Sequence, residues 1–239
     1  TTLCFEAANL PLINIRTFRN RLSCYTIRPS SKRMNKKVKV EKLGIILAPT
    51  ENKFENRSVL NPGVYQEGDF VHLFYRAIDK RMNSSIGYAR LKGPTEVIER
   101  WDKPIIDRKY AYEKKGVEDP RIVKIGSAFY MTYVAHDGKN AVVAYATTHD
   151  LVNFEKKGII TPRLSYDHIG RIFRKEKLKD RNFMFESYYE EYAGKDVYLW
   201  EKDAFLFPKK IKGKFALVHR ILPDIQVIYF KDFKDLTLH

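Results

Sequence analysis

A chain of 239 residues, 44% of them hydrophobic and 13% aromatic, carries enough apolar material for one sizeable core, which excludes global disorder and predicts one globular domain. Its 44 Lys and Arg against 29 Asp and Glu leave a formal net charge of +15, favouring anionic partners such as phosphate, sulfated glycans, nucleic acid or an anionic membrane surface without choosing among them. Cys4 and Cys24 both fall in the first 24 residues, so they supply neither a disulfide framework nor a CxxC metal pair, and a reducing, cytoplasmic location is the expectation.

Residues 1–33 hold six Arg or Lys against one Glu and show no clear periodicity. MNKKVKVEKLGIILAP then opens a clean alternation at Met34. We expect 1–33 to be a non-native or disordered N-terminal extension, the alternative being a genuine basic arm. No run approaches the roughly 18 to 20 apolar residues that cross a bilayer, so no membrane partner is expected. Helical periodicity is scarce, and short runs rich in Val, Ile, Phe and Tyr recur between Gly, Asp, Asn and Pro. VHLFYRAI (71–78), SSIGYARL (84–91), RIVKI (121–125), AFYMTYVA (128–135), AVVAYATT (141–148), DVYLW (196–200), FALVHRIL (215–222) and IQVIYF (225–230) predict strands of an all-β protein. The charged stretch 165–192 reads as either helix or a long crossing loop.

The strands repeat as a unit. NPGVYQEGDFVHLFYRA from Asn61, DPRIVKIGSAFYMTYVA from Asp119 and DAFLFPKKIKGKFALVHR from Asp203 each run from Asn or Asp through an apolar strand and a Gly-containing turn to a Phe that starts the next strand. A hairpin, a third strand and an outer DL-x-x-F segment describe a propeller blade, with a twisted β-sandwich as the plainer alternative. Three copies, plus a partial one assembled from 38–60 and 94–110, fall short of a closed ring. The expectation is therefore an incomplete propeller over 34–239, truncated at its C-terminus.

In order along the chain, NPGV with YRA a dozen residues on, GVEDPRI, the DG…ATTHDLVNFEKKG segment and KDAFLFPKKIKGKFALVHR resemble glycoside hydrolase family 130, the β-mannoside phosphorylases and related mannosidases, over about residues 38–239. The resemblance implies a five-bladed β-propeller and cleavage of β-mannosides by inverting phosphorolysis, a mannosyl transfer to phosphate, or by hydrolysis. Such cleavage needs a proton for the leaving oxygen and a nucleophile on the opposite sugar face. If phosphate attacks, one catalytic carboxyl suffices, and basic side chains must hold an anion that this carboxylate alone would repel. An acid beside Lys, Arg and His is the expected pattern.

Carried over motif by motif, Asp119 of EDPR takes the proton-donor role; pairing with Arg121 or capping a turn is its structural alternative. Glu118 is expected to bind sugar or support the acid, and Asn61, Arg76 and Asp203 to line the sugar pocket. Tyr75 and Trp200 are candidates either for stacking on a sugar or for core packing. Lys202 and His219 match basic positions for phosphate, His219 being otherwise a satisfied core histidine. Two further family sites are commonly arginines; here the candidates are Lys139 and either Lys156 or Lys157, and lysine cannot make the bidentate fork to phosphate. Glu186, Glu190 and Glu191 are candidates for activating water in a hydrolase, or simply a solvated face. No metal or cofactor is expected, only inorganic phosphate as a co-substrate beside a manno-oligosaccharide; a homo-oligomer stays open. The alternative function is a non-catalytic glycan- or anion-binding propeller. Nucleic acid is not an expected partner, because the basic residues are dispersed and the aromatics follow strand periodicity.

Overall fold

Alternating apolar residues and glycine-marked turns build three antiparallel units in chain order, the first two joined into one sheet. The computed structural model describes residues 40–165, 197–221 and 224–236. The extension over 1–33, the start at Met34 and residues 166–196, with Glu186, Glu190 and Glu191, lie outside the described residues. The first unit consists of β1 (Ser58–Glu67), β2 (Phe70–Ile78), β3 (Ser84–Lys92) and β4 (Glu96–Arg100), each antiparallel to its neighbour. The second repeats it with β5 (Gly116–Ile125), β6 (Ala128–His136), β7 (Ala141–Thr148) and β8 (Glu155–Ile159). The third contains β9 (Lys202–Leu206), β10 (Phe215–Ile221) and β11 (Asp224–Phe230), closed by a 3-10 turn at Phe233–Leu236. One parallel bridge, Ser84 to Gly116, ties the first unit to the second.

The period of two along each strand sorts side chains onto opposite faces. In the middle unit both faces are buried. Ile122, Met131, Tyr133 and Ala144 pack against Phe74, Ile86 and Tyr88 of the first unit. Val123, Tyr130, Val143 and Tyr145 instead meet Leu206, Leu217, Phe230 and Phe233 of the third. Phe233 stacks on Tyr145 with ring centroids 4.3 Å apart, so the segment after β11 folds back to seal that interface. Full burial of each large apolar side chain contributes about 1.5–3 kcal/mol, which explains why the middle unit, apolar on alternate residues in both phases, is the centre of the molecule.

Two sequence expectations are corrected. Segment 94–110 is not part of a further blade: Glu96–Arg100 pairs with β3 as the fourth strand of the first unit, and Ile106 bridges Ile86 beyond it. Segment 196–200 forms no strand within its described part, only an antiparallel bridge from Tyr198 to Ser165. Val197 and Leu199 are buried, but the Tyr198 N–H donates to Asn140 Oδ1 and the Leu199 N–H to the Leu164 carbonyl, so its apolar alternation records packing rather than a ladder.

The three repeat-opening residues share an unusual backbone. Asn61, Asp119 and Asp203 have φ of 48°, 51° and 54°, the left-handed region that Asn and Asp tolerate best after glycine. Each sits where the ladder of its sheet shifts register, between Leu60 and Gly63, between Glu118 and Arg121, and opposite Val218 and Arg220. Such bulges re-aim side chains out of the strand plane. No helix among the described residues is long and apolar enough to cross a membrane.

Candidate active site

The bulges bring β1 and β5 into close contact. An added Cβ at Gly63 would lie 2.6 Å from the Pro120 carbonyl oxygen, so only glycine lets the two backbones approach this way. Across the contact the Asn61 side-chain amide donates to Asp119 Oδ1 at 2.9 Å. Arg76, from β2, serves three partners: its Nε donates to Ser84 Oγ at 3.0 Å, one terminal nitrogen to Glu118 Oε1 at 2.7 Å, and the other lies 3.6 Å from Asp119 Oδ1. Glu118 is 5% exposed, and the absence of a side chain at Gly116 leaves room for its carboxylate. No described residue donates to Asp119 Oδ2.

The second and third units add cations. Arg121, one residue beyond Pro120, lies 3.7 Å from Asp203, whose other oxygen accepts from Arg220 at 2.8 Å. The Lys202 ammonium rests 4.9 Å above the Trp200 indole, and that indole meets the edge of His136 at 5.7 Å. His136 Nδ1 accepts the Gly138 N–H at 3.0 Å, so the neutral ring keeps its proton on Nε2. Burial holds the His136 pKa below its ordinary value; Lys202 and Arg76 act in the same sense, and Glu118 and Asp137 oppose them. Glu118, Asp119 and Asp203 thus stand among Arg76, Arg121, Lys202 and Arg220, a mixed site with cations in excess. Among the described residues no group of three His, Cys, Asp or Glu has metal-binding geometry.

The structure therefore gathers Asn61, Arg76, Glu118 and Asp119 directly, and joins Asp203 to them through Arg121. The remaining candidates have the following partners. Lys157 lies on β8, the strand of the second unit farthest from β5, and pairs with Glu155. Its neighbour Lys156 is buried against Glu113 at 2.6 Å and the Asp107 carbonyl, which makes it part of the packing. Lys139 belongs to the β6–β7 turn, where its carbonyl accepts from the Trp200 indole N–H. His219 is 4% exposed, with Nδ1 3.4 Å from Glu201 Oε2, a carboxylate that is itself buried. Tyr75 is core: it donates to buried Glu55 at 2.7 Å and packs in the outer face of the first unit.

A family model described as beta-1,4-mannooligosaccharide phosphorylase, glycoside hydrolase family 130, matches residues 28–236. The chain belongs to glycoside hydrolase family 130. Two curated relatives come from Thermoanaerobacter sp. (strain X514). A 1,2-beta-oligomannan phosphorylase is 29% identical over 205 residues, covering 82% of this chain and 57% of the relative. A beta-1,2-mannobiose phosphorylase is 31% identical over 199 residues, covering 76% and 54%. This family 130 chain thus spans little more than half the length of the curated relatives it matches. Among solved structures, a glycosyl hydrolase from Bacteroides ovatus shares the fold with a TM-score of 0.59 at 19% identity, over 79% of this chain and 53% of that one. A beta-1,2-mannobiose phosphorylase from Listeria innocua, crystallised with beta-1,2-mannobiose, gives 0.51 at 19%, over 73% and 57%.

Sequence reasoning missed Ser84, His136 and the pairing of Arg220 with Asp203, while Arg121, expected to hold one of the acids in place, lies beside Asp203. The HDG turn held a signal for His136, because its Asp-Gly-Lys-Asn segment bends the chain back over the end of β6: Asp137 accepts the N–H groups of Lys139 and Asn140. Nothing local marked Ser84, whose partners lie 8 and 34 residues away.

Proposed function

We propose that this chain carries the acid-bearing part of a β-mannoside-cleaving enzyme that works by inverting phosphorolysis, with Asp119 as proton donor. The observation that carries the reading is the asymmetry of the Asp119 carboxyl: Oδ1 is tethered by Asn61 and flanked by Arg76, while no described residue occupies Oδ2. An acid held by one oxygen presents the other in a fixed direction, the arrangement general acid catalysis needs. In the proposed reaction the glycosidic C1–O bond breaks, the leaving oxygen takes the proton from Asp119 directly or through a sugar hydroxyl, and a phosphate oxygen attacks C1 from the opposite face. Inversion of a β-mannoside then yields α-mannose 1-phosphate and a sugar one residue shorter.

Phosphate is favoured over water as the nucleophile because two arginines, Arg121 and Arg220, share the one Asp203 carboxylate and the Lys202 ammonium stands nearby over Trp200, leaving positive charge for an anion. Arginines supply the planar forks that Lys139, Lys156 and Lys157 cannot. In this reading the three sheet units are blades of the five-bladed propeller expected for the family, and their left-handed Asn61, Asp119 and Asp203 mark the blade ends that line the pocket. Incubation with β-1,2- and β-1,4-linked manno-oligosaccharides, with and without phosphate, tests the reaction. Mannose 1-phosphate formed only with phosphate is the expected product. Free mannose in both conditions points to hydrolysis; affinity without either product makes the chain a binding module.

A further inference from the structure

The β2–β3 loop, residues 53–54 and residues 107–108 line a half-open cavity of about 190 Å³, with Lys53, Asp107 and Arg108 exposed at its rim. It adjoins the acid pair, because Ser84, the first residue of β3, forms part of its wall while its Oγ lies 3.0 Å from Arg76 Nε and 3.3 Å from Glu118 Oε1. The rest of the lining is mixed. Asp79 belongs to the fold: its carboxylate accepts the N–H groups of Arg81 and Asn83 and the Asn83 side-chain amide, which fixes the loop. Lys53, Ser85 and Asp107 differ. Among the described residues nothing pairs with the Lys53 ammonium or the Ser85 hydroxyl, and Asp107 Oδ1 alone is used, by Arg108. Among the described residues the Arg108 side chain makes short contacts with the Lys114 carbonyl, at 3.4 Å, and the edge of Asp107, and its charge is also felt by Asp79. Phe54 adds an aromatic surface.

Vicinal hydroxyls of a pyranose both donate and accept, so a carboxylate beside an ammonium or guanidinium satisfies them in pairs, while an aromatic ring covers the C–H face. The volume is below the roughly 300–1,000 Å³ of sites for drug-sized ligands, which suits one ring rather than a chain. We propose that this cavity is an auxiliary sugar subsite that takes one further mannose ring of a manno-oligosaccharide whose scissile bond stands at Asp119. The inference rests on the proposed function, and it adds a reader of substrate length: Lys53, Ser85, Asp107 and Arg108 contact a sugar remote from the reacting bond.

The test is calorimetric titration of β-linked mannobiose, mannotriose and mannotetraose into the full chain carrying Asp119→Asn, so that turnover does not intervene. The same titrations follow with Arg108→Ala, Lys53→Ala or Ser85→Ala added. The expected result is that longer sugars bind about fivefold or more tightly than mannobiose, as one or two net hydrogen bonds predict, and that each added substitution weakens only the longer ones. Equal affinity for all lengths, or substitutions that weaken mannobiose as much as mannotriose, overturns the subsite. Turnover by the unsubstituted chain is read separately: its absence sinks the reaction, yet length-dependent binding lost with Arg108 would still establish the subsite. No binding of any length rejects both.

Discussion

Replacing Arg76 with leucine removes the group on which the acid pair is built. Three contacts vanish together: the bond to Ser84 Oγ at 3.0 Å, the ion pair with Glu118 at 2.7 Å and the approach to Asp119 at 3.6 Å. Among the described residues the Glu118 carboxylate, with its side chain 7% exposed, then keeps as hydrogen-bond donor only the Ser84 hydroxyl. Removing one partner of a buried pair costs about 3–5 kcal/mol, because the remaining charge stays desolvated. Arg76 is 20% exposed, so water already reaches one side of this pair, and a loss below that range, about 2–3 kcal/mol, is expected. Urea denaturation gives the number as a shift in midpoint at constant slope. Adding Glu118→Leu to Arg76→Leu removes the stranded charge and should recover at least half of the loss. If Arg76→Leu costs under about 1 kcal/mol, or if the two substitutions simply add within about 0.5 kcal/mol, the pair contributes no coupling and the reasoning fails.

Asp119→Asn keeps the Asn61 contact geometry but removes the transferable proton, so a fall in turnover of roughly a hundredfold or more is expected with sugar affinity largely retained; full activity would make Asp119 structural. Glu113→Ala strands four donors at a fully buried position, the N–H groups of Lys109 and Tyr110, the Tyr133 hydroxyl and the Lys156 ammonium, and should cost about 3–5 kcal/mol by chemical denaturation, with a loss under about 1 kcal/mol contradicting it. The folded pKa of His136 lies below the ordinary 6.5, so below pH 6.5 the unfolded chain binds more protons and stability is lost as the pH drops, until the folded value is passed. The slope contributed is at most about 1.4 kcal/mol per pH unit; His136→Gln should flatten the acid limb in part, since buried His72 is lowered in the same sense, and an unchanged profile counts against it. Gly63→Ala drives a Cβ into the Pro120 carbonyl, a backbone atom that cannot swing aside, so a loss of about 1–3 kcal/mol and weaker sugar binding are expected in a thermal melt and a titration; a neutral variant would mean that the β1–β5 approach is adjustable.

Much of the fold was legible because its determinants are local. Alternation in VHLFYRAI and AVVAYATT follows from the two-residue period of a pleated strand, and the repeated turn glycines Gly68 and Gly126 are required by φ of 58° and 66°. The Asn and Asp that open each repeat were visible as a pattern, and the structure supplies a second reason for them, a left-handed backbone at each bulge. Apolar alternation in 196–200 misled because buried packing and ladder pairing produce the same spacing.

By itself the sequence determined an all-β chain of repeated hairpins, the acid in EDPR and an excess of cations. Only the tertiary structure decided which of those cations stand beside the acids. Asn61 reaches Asp119 across 58 residues, and Arg76 reaches Glu118 across 42, because two bulges offset β1 and β5 and Gly63 lets their backbones touch. Lys156 and Lys157, close to a matched motif in sequence, face Glu113 and Glu155 instead. Strand period and turn chemistry are written in adjacent residues, whereas the meeting of charges depends on how whole sheets stack, and that is set by the summed burial of both faces of the middle unit.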